Sequence, residues 1–277
     1  MQQAAIVTFW FALALYTAAT VLYVYFFWAK RKKYAAYATY TTAAGFLLHT
    51  ASIGLRWAEK GSFPLEGTYE SLTIAAWALV LVYFVVEYLA GVRVLGVLLI
   101  PAAIVMMVIA FLNVDAPTEE VLKVLDNWRV GIHVVIINLA NAGFAIGAAA
   151  SGVYLVQEAQ LKRHTTNVLF RRLPPLASTD RLARRVIALA LPAYTAGILL
   201  GTIRAIEFDV AGWYLDPRVL LALVVWGIFG SYVYLRFRPQ GLPGRTAAWL
   251  ALAGFAVVVV VAIVARTVPS GFHIFGL

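Results

Sequence analysis

Residues 56–72 read RWAEKGSFPLEGTYESL, a polar and aromatic segment between two apolar runs that are each long enough to cross a membrane. This segment is predicted to be a loop that joins two membrane-spanning helices. Apolar windows of about 20 residues recur on both sides of it, from one end of the chain to the other. The pattern predicts a bundle of helices in a lipid bilayer.

The composition indicates the same class of protein. Hydrophobic residues make up 63% of the 277 residues and charged residues only 13%, and the mean hydropathy is +0.85. A soluble domain of this size could not hide so many apolar side chains, because even well-packed proteins leave much of their surface to polar groups. The predicted fold class is therefore all-α, a polytopic membrane protein of about eight transmembrane helices, forming one domain over residues 1–277.

The predicted spans follow the apolar windows. They cover residues 4–28, 35–55, 71–91, 94–113, 130–157, 186–206, 219–236 and 246–267. The loops after the first, third, fifth and seventh spans hold 15 of the 22 Lys and Arg residues. Basic loops stay in the cytoplasm, so both termini are predicted to lie outside, and the chain is predicted to be a multi-pass protein of the cytoplasmic (inner or plasma) membrane.

Charge and cysteine content exclude two kinds of chemistry. The net charge of +9 is explained by loops beside membrane spans and lipid headgroups, so no nucleic-acid partner is predicted. Cysteine is absent, so any thiol chemistry must belong to a partner protein. Glu87, near the inner end of the third span, is expected to contact lipid headgroups.

Four histidines are present, and the predicted topology separates them. His133 and His273 fall on the outer side, where two neutral imidazoles across one cavity could be the axial ligands of a haem iron. A helix-end histidine that bonds a backbone carbonyl is the alternative for His133. His49, inside the second span, is equally compatible with a functional role and with a hydrogen-bonded packing role. His164 is expected to be solvated in a cytoplasmic loop.

The outer loop between the sixth and seventh predicted spans is rich in aromatic and basic residues. Arg204 and Arg218 could bind carboxylates, and Phe208, Trp213 and Tyr214 could contact a flat apolar ring. Haem has both of these chemical faces. Anchoring at the membrane interface is the alternative for the aromatic residues.

These residues resemble the cytochrome c assembly family, the haem-handling membrane proteins of the CcsA, CcmC and CcmF type. The matching positions are Arg56, Trp57, Gly61, Phe63, Pro64, Leu65, Tyr69, Glu70, Ser71, Leu72, His133, Asp180, Arg181, Leu182, Pro192, Thr195, Gly197, Ile198, Gly201, Gly271 and His273. They follow the family order along nearly the whole chain.

The resemblance implies a haem-binding membrane component of cytochrome c maturation. It would present b-type haem at the outer membrane face for attachment to apocytochrome c, with a partner assembly protein holding the apoprotein. The implied iron ligands are His133 and His273, and the other implied haem contacts are Arg56, Trp57, Arg204, Glu207, Trp213, Tyr214, Asp216 and Pro217. Membrane lipids are the remaining expected partner. The chain is not expected to be catalytic alone, although it could be part of a haem-lyase or synthase complex.

The chain also departs from the family pattern in its tryptophan-rich loop. Trp213, Asp216 and Pro217 are kept, but Leu215 and Arg204 stand where the family has tryptophans. A loop that has lost these tryptophans resembles the HemX-like branch of the family. The alternative function is therefore a non-catalytic membrane protein that influences haem supply or the abundance of haem-biosynthetic enzymes.

Overall fold

The computed structural model describes residues 2–29, 31–61, 67–114, 128–164, 172–207, 209 and 212–267. Within these ranges the chain forms eight α-helices, two 3-10 helices and no β-strand. The α-helices are α1 (Gln2–Ala29), α2 (Lys32–Lys60), α3 (Gly67–Ala90), α4 (Gly96–Phe111), α5 (Trp128–Lys162), α6 (Leu176–Glu207), α7 (Pro217–Arg236) and α8 (Gly244–Thr267). The 3-10 helices are Arg93–Leu95 and Trp213–Leu215. The predicted all-α fold is confirmed.

Seven helices in the described ranges are long and apolar enough to cross a membrane, so the chain is a polytopic membrane protein. The exception is α2, whose sequence carries more polar residues than the other helices. Thr42, His49 and Ser52 of α2 are buried, with exposures of 0%, 0% and 2%. Because these polar groups point into the packed interior, they would not meet lipid if α2 crosses the bilayer, which stays a prediction.

Several helices extend beyond the predicted apolar windows. The fifth predicted span ends at residue 157, whereas α5 continues to Lys162. Likewise α6 begins at Leu176, ahead of the predicted start at residue 186. Backbone hydrogen bonding continues into the polar flanks, because long charged side chains at a helix end can reach water while their stems lie along the helix.

The chain divides into two compact units, residues 1–128 and 129–277. In the first unit, α1 packs against α2 and α4. Its buried face alternates small and aromatic residues at helical spacing: Ala5, Phe9, Ala12, Tyr16, Ala19 and Tyr23, all 0% exposed. This stripe is the apolar face expected of a packed helix. A single domain over residues 1–277 stays a prediction.

Glu87 of α3 is buried at 6% exposure, which differs from the expected contact with headgroups. The phenol of Tyr23 on α1 donates a 2.8 Å hydrogen bond to its Oε2. Its Oε1 accepts from Thr39 on α2 and from Nε of Arg93 at 3.2 Å. Three protein donors therefore replace water around this carboxylate, and it joins α1, α2 and α3.

The second unit has an aromatic core between α5, α6 and α7. The rings of Phe144 and Phe229 stack with centroids 3.7 Å apart and an interplanar angle of 2°. Tyr194 of α6 packs edge-on against Phe144 at 5.4 Å. The α8 helix comes close to the same rings, because a Cβ added at Gly254 would lie 2.9 Å from Phe229.

Candidate functional site

Close packing of α5 against α6 positions the candidate site. Small residues let the two helices approach one another. The contacts pair Gly143 with Ala190, Gly147 with Ile187, Ile137 with Gly197 and His133 with Gly201. Residue numbers rise along one helix as they fall along the other, so the helices are antiparallel. We refer to this row of contacts as the α5–α6 seam.

His133 is held in the seam by backbone. Its Nδ1 lies 2.7 Å from the carbonyl oxygen of Gly197. A carbonyl only accepts, so Nδ1 carries the proton, and the lone pair of the neutral ring is on Nε2. Metal-ligating histidines commonly have their other ring nitrogen fixed in this way. A Cβ at position 201 would lie 2.8 Å from Cε1 of His133, so Gly201 makes room for the ring.

A cavity of about 170 Å³ adjoins His133. Its lining comes from all four helices of the second unit and from the loop before α7. The lining residues are His133, Ile137, Asn141, Tyr194, Ile198, Gly201, Thr202, Ala205, Trp213, Arg218, Val219, Ala222 and Val261. Three predicted site residues, His133, Trp213 and Arg218, therefore meet at one largely apolar cavity, and Arg218 supplies the guanidinium among its described lining residues.

The loop before α7 divides its residues between the cavity and the helix. Trp213 lines the cavity, whereas Tyr214 is 59% exposed. Asp216 is 5% exposed and accepts a 2.8 Å hydrogen bond from the backbone N–H of Arg218. It is the N-cap of α7, and Pro217 occupies the first helical turn, where a missing donor is tolerated. Asp216 and Pro217 thus set the start of the helix that brings Arg218 to the cavity.

Arg204 and Glu207 form an ion pair near the end of α6, with Nη1 and Oε2 2.6 Å apart. Glu207 also pairs with Arg129 at the start of α5, at 3.2 Å. Arg129 was not among the predicted site residues. On sequence alone it resembles any other basic residue that flanks a span.

Arg56 and Trp57 lie in the first unit, in the last turns of α2. Arg56 pairs with Glu70 of α3 at 3.0 Å, and its guanidinium stacks over the ring of Tyr69 at 4.5 Å. Lys60 pairs with the same Glu70 oxygen at 3.0 Å. Trp57 is 50% exposed. These contacts hold the last turns of α2 against the first turn of α3. A haem contact by Arg56 or Trp57 stays a prediction.

The other histidines have different settings. His273 and Phe208 lie outside the residues that the structure describes. His49 is fully buried, with the hydroxyl of Tyr16 3.3 Å from its Nδ1. His164 is exposed beyond the end of α5. The Nε2 atom of His49 is buried without a hydrogen-bond partner among the described residues, so both the functional and the packing role stay predictions.

Several cavity residues were not predicted from sequence, among them Asn141 and Tyr194. Asn141 lies two turns after His133 on α5, and Tyr194 lies on α6. The Oδ1 atom of Asn141 is buried without a hydrogen-bond partner among the described residues. Their helical spacing from His133 and Gly201 is the signal that could have identified them.

Comparisons with known proteins cover the residues of this candidate site. A family model described as cytochrome C assembly protein matches residues 65–273. The chain is 29% identical over 276 residues to the cytochrome c biogenesis protein CcsA of Microcystis aeruginosa, covering 82% of this chain and 83% of that protein. It is 30% identical over 268 residues to the protein of the same name from Pyropia yezoensis, covering 82% and 83% of the two chains.

Proposed function

Because this chain belongs to the cytochrome c assembly family, we propose that it binds b-type haem and presents it at the outer face of the membrane for attachment to apocytochrome c. It acts there as a multi-pass component of cytochrome c biogenesis in the cytoplasmic membrane. The observation that carries the proposal is the His133–Gly197 hydrogen bond of 2.7 Å at the wall of an apolar cavity.

The chemistry of the cavity fits a haem. In the described ranges no group of three or more His, Asp or Glu side chains could hold a metal ion. A single histidine suits a metal that brings its own ligands, as haem iron does. His133, through Nε2, and His273 would hold the iron. Trp213 would contact the ring, and Arg218 would neutralise a carboxylate.

The cavity is smaller than a whole haem would need. Its volume of about 170 Å³ is below the range of about 300–1,000 Å³ that is common for small-molecule pockets. It can therefore take one edge of a large planar group. A bound haem supplies the group that becomes covalently attached, and the chain's own residues hold and orient it.

A partner must complete the reaction. The chain has no cysteine, so it cannot reduce an apocytochrome disulfide by thiol exchange. We propose that a partner assembly protein holds the apocytochrome and manages its thiols. The contribution of this chain is the position of the haem relative to that partner.

The visible spectrum of the purified chain tests haem binding. His133→Ala should give a five-coordinate or haem-depleted protein, because one axial ligand is lost, and free imidazole should partly restore the spectrum. His164→Ala is the matched control, since His164 is exposed and distant in sequence. A low-spin haem spectrum that persists unchanged in the His133→Ala/His273→Ala double variant would contradict the proposal.

A second candidate function is favoured by the loop before α7. Among the described aromatic residues of this loop, Trp213 lines the cavity, while Tyr214 is largely exposed. In this HemX-like alternative, the chain influences haem supply without taking part in attachment. Deleting the gene separates the two functions: loss of covalent haem on a reporter cytochrome supports presentation, whereas altered haem or precursor levels with normal reporter haem support the alternative.

A further inference from the structure

Glu207 is shared by two arginines at the predicted outer end of the second unit. Its Oε1 lies 3.2 Å from Nη1 of Arg129, and its Oε2 lies 2.6 Å from Nη1 of Arg204. One carboxylate thus faces two guanidinium groups. The three side chains together carry a net positive charge.

The position of this bridge relates it to the His133 cavity. Arg129 is one helical turn before His133 on α5, and Glu207 is the last residue of α6. Along the antiparallel α5–α6 seam, the His133–Gly201 contact is followed outward by the Arg129–Glu207 pair. Ala205, which directly follows Arg204 in the sequence, also lines the cavity. The bridge is therefore the next contact of the seam beyond the candidate ligand.

The position of Glu207 in this bridge favours its replacement by another carboxylate. Side-chain exposures are 51% for Arg129 and 39% for Glu207, against 11% for Arg204. The Arg129–Glu207 pair has this much access to water and contributes little to stability. A carboxylate that replaces Glu207 beside Arg204 would keep the nearly buried guanidinium paired. Arg204 in turn is held nearly buried. A guanidinium in such a setting is well suited to bind another carboxylate with two parallel hydrogen bonds.

We propose that Arg129 and Arg204 form a carboxylate-binding site, and that Glu207 occupies it until a propionate of the porphyrin held at His133 displaces it. Glu207 is then an internal competitor of the ligand rather than one of its contacts. This inference rests on the proposed function for the identity of the ligand, a porphyrin dicarboxylate. The two ion pairs of Glu207 would then break only when a porphyrin carboxylate binds.

Metal-free protoporphyrin IX tests the site without iron ligation. Its affinity for the purified full chain would be compared with that of its dimethyl ester, which has the same ring but no carboxylates. The diacid should bind about tenfold more tightly, since a charge-assisted bidentate contact is among the stronger hydrogen bonds. Raising the salt concentration should narrow this difference, because part of the site is exposed to water.

Variants of the three residues show whether Glu207 competes with the porphyrin carboxylate or contacts the porphyrin. Glu207→Gln should raise the affinity for the diacid several-fold and leave the ester unchanged. The matched control is Asp209→Asn, which removes a negative charge from an exposed residue two positions away and should change neither affinity. Arg204→Gln and Arg129→Gln should each reduce the preference for the diacid, and Arg204→Lys should restore part of it. Thermal unfolding of each variant checks that the fold is kept.

Two results would overturn the proposal. One is an equal affinity of the wild-type chain for diacid and ester, which includes the case in which neither porphyrin binds. The other is a Glu207→Gln variant that binds the diacid no better than wild type. A preference for the diacid combined with a haem spectrum insensitive to His133→Ala would keep the carboxylate site and reject His133 as iron ligand.

Discussion

The phenol of Tyr23 donates a 2.8 Å hydrogen bond to the carboxylate of Glu87 across 64 residues of sequence. With Thr39 and Arg93 on the other oxygen, this contact ties α1, α2 and α3 together. An ionised carboxylate is costly inside a protein unless its oxygens accept hydrogen bonds or pair with a cation. The donors around Glu87 meet that requirement.

Replacing Glu87 with Gln should therefore destabilise the first unit. The amide keeps one acceptor but places an NH2 group against hydrogen-bond donors, so the free energy of unfolding should fall by about 1–3 kcal/mol. Glu59→Gln, at an exposed position of α2, should change it by about 0.5 kcal/mol or less. Unfolding in detergent, followed by circular dichroism, measures both. Equal stability of the two variants would show that the Glu87 contacts contribute little.

The Gly201→Ala variant should disturb His133 without altering its chemistry. The added Cβ would lie 2.8 Å from Cε1 of the imidazole, so the ring or the helix must move. Changes around a ligating histidine typically cost about 10–100-fold in metal affinity, and we expect haem affinity to fall by about tenfold or more. Haem titration measures it. Gly230→Ala, where a Cβ meets nothing within 4 Å, is the control and should bind haem normally.

Asp216 and Trp213 should differ in what they affect. Asp216→Ala removes the N-cap of α7 and should cost about 1 kcal/mol of stability, whereas Asp216→Asn keeps an acceptor for the N–H of Arg218 and should be milder. Trp213→Ala should leave stability nearly unchanged but reduce haem binding and covalent haem on a reporter cytochrome. If Trp213→Ala supports normal maturation, the loop has no part in presenting haem.

The α2 helix should cross the membrane although it is more polar than the other helices. Single cysteines at Lys33 and Ala58, both exposed near opposite ends of α2, should then label from opposite sides. With no native cysteine in the chain, an impermeant maleimide on sealed, right-side-out vesicles should label Ala58→Cys but not Lys33→Cys. Gln240→Cys should behave like Lys33→Cys, because six helices separate the two sites. Labelling of both α2 positions from one side would remove α2 from the spans.

Sequence patterns predicted the helices well because apolar windows are local. All eight α-helices of the described ranges were anticipated, but their ends were not: α5 and α6 are longer than predicted, and α4 is shorter. The setting of Glu87 could not be predicted, since its partners Tyr23 and Thr39 are 64 and 48 residues away. No local pattern specifies which residues of separate helices will meet.

The candidate site shows the same limit. The family resemblance marked His133 and Trp213, and the structure brings both to one cavity. Arg129 was missed because a basic residue beside a span is ordinarily explained by topology. Its pairing with Glu207 depends on the register of the α5–α6 seam, which becomes visible only when both helices are placed.

The acceptor that orients His133 belongs to the main chain of residue 197, and this affects how the site can be studied genetically. An alanine scan of α6 would register position 197 only through the bulk it adds against Ile137, because every amino acid supplies the same carbonyl. The interaction can be weakened by replacing the peptide bond after Gly197 with an ester, whose carbonyl is a poorer acceptor, and this also removes the N–H of Ile198. Codon substitution alone therefore cannot reveal what holds this imidazole in place.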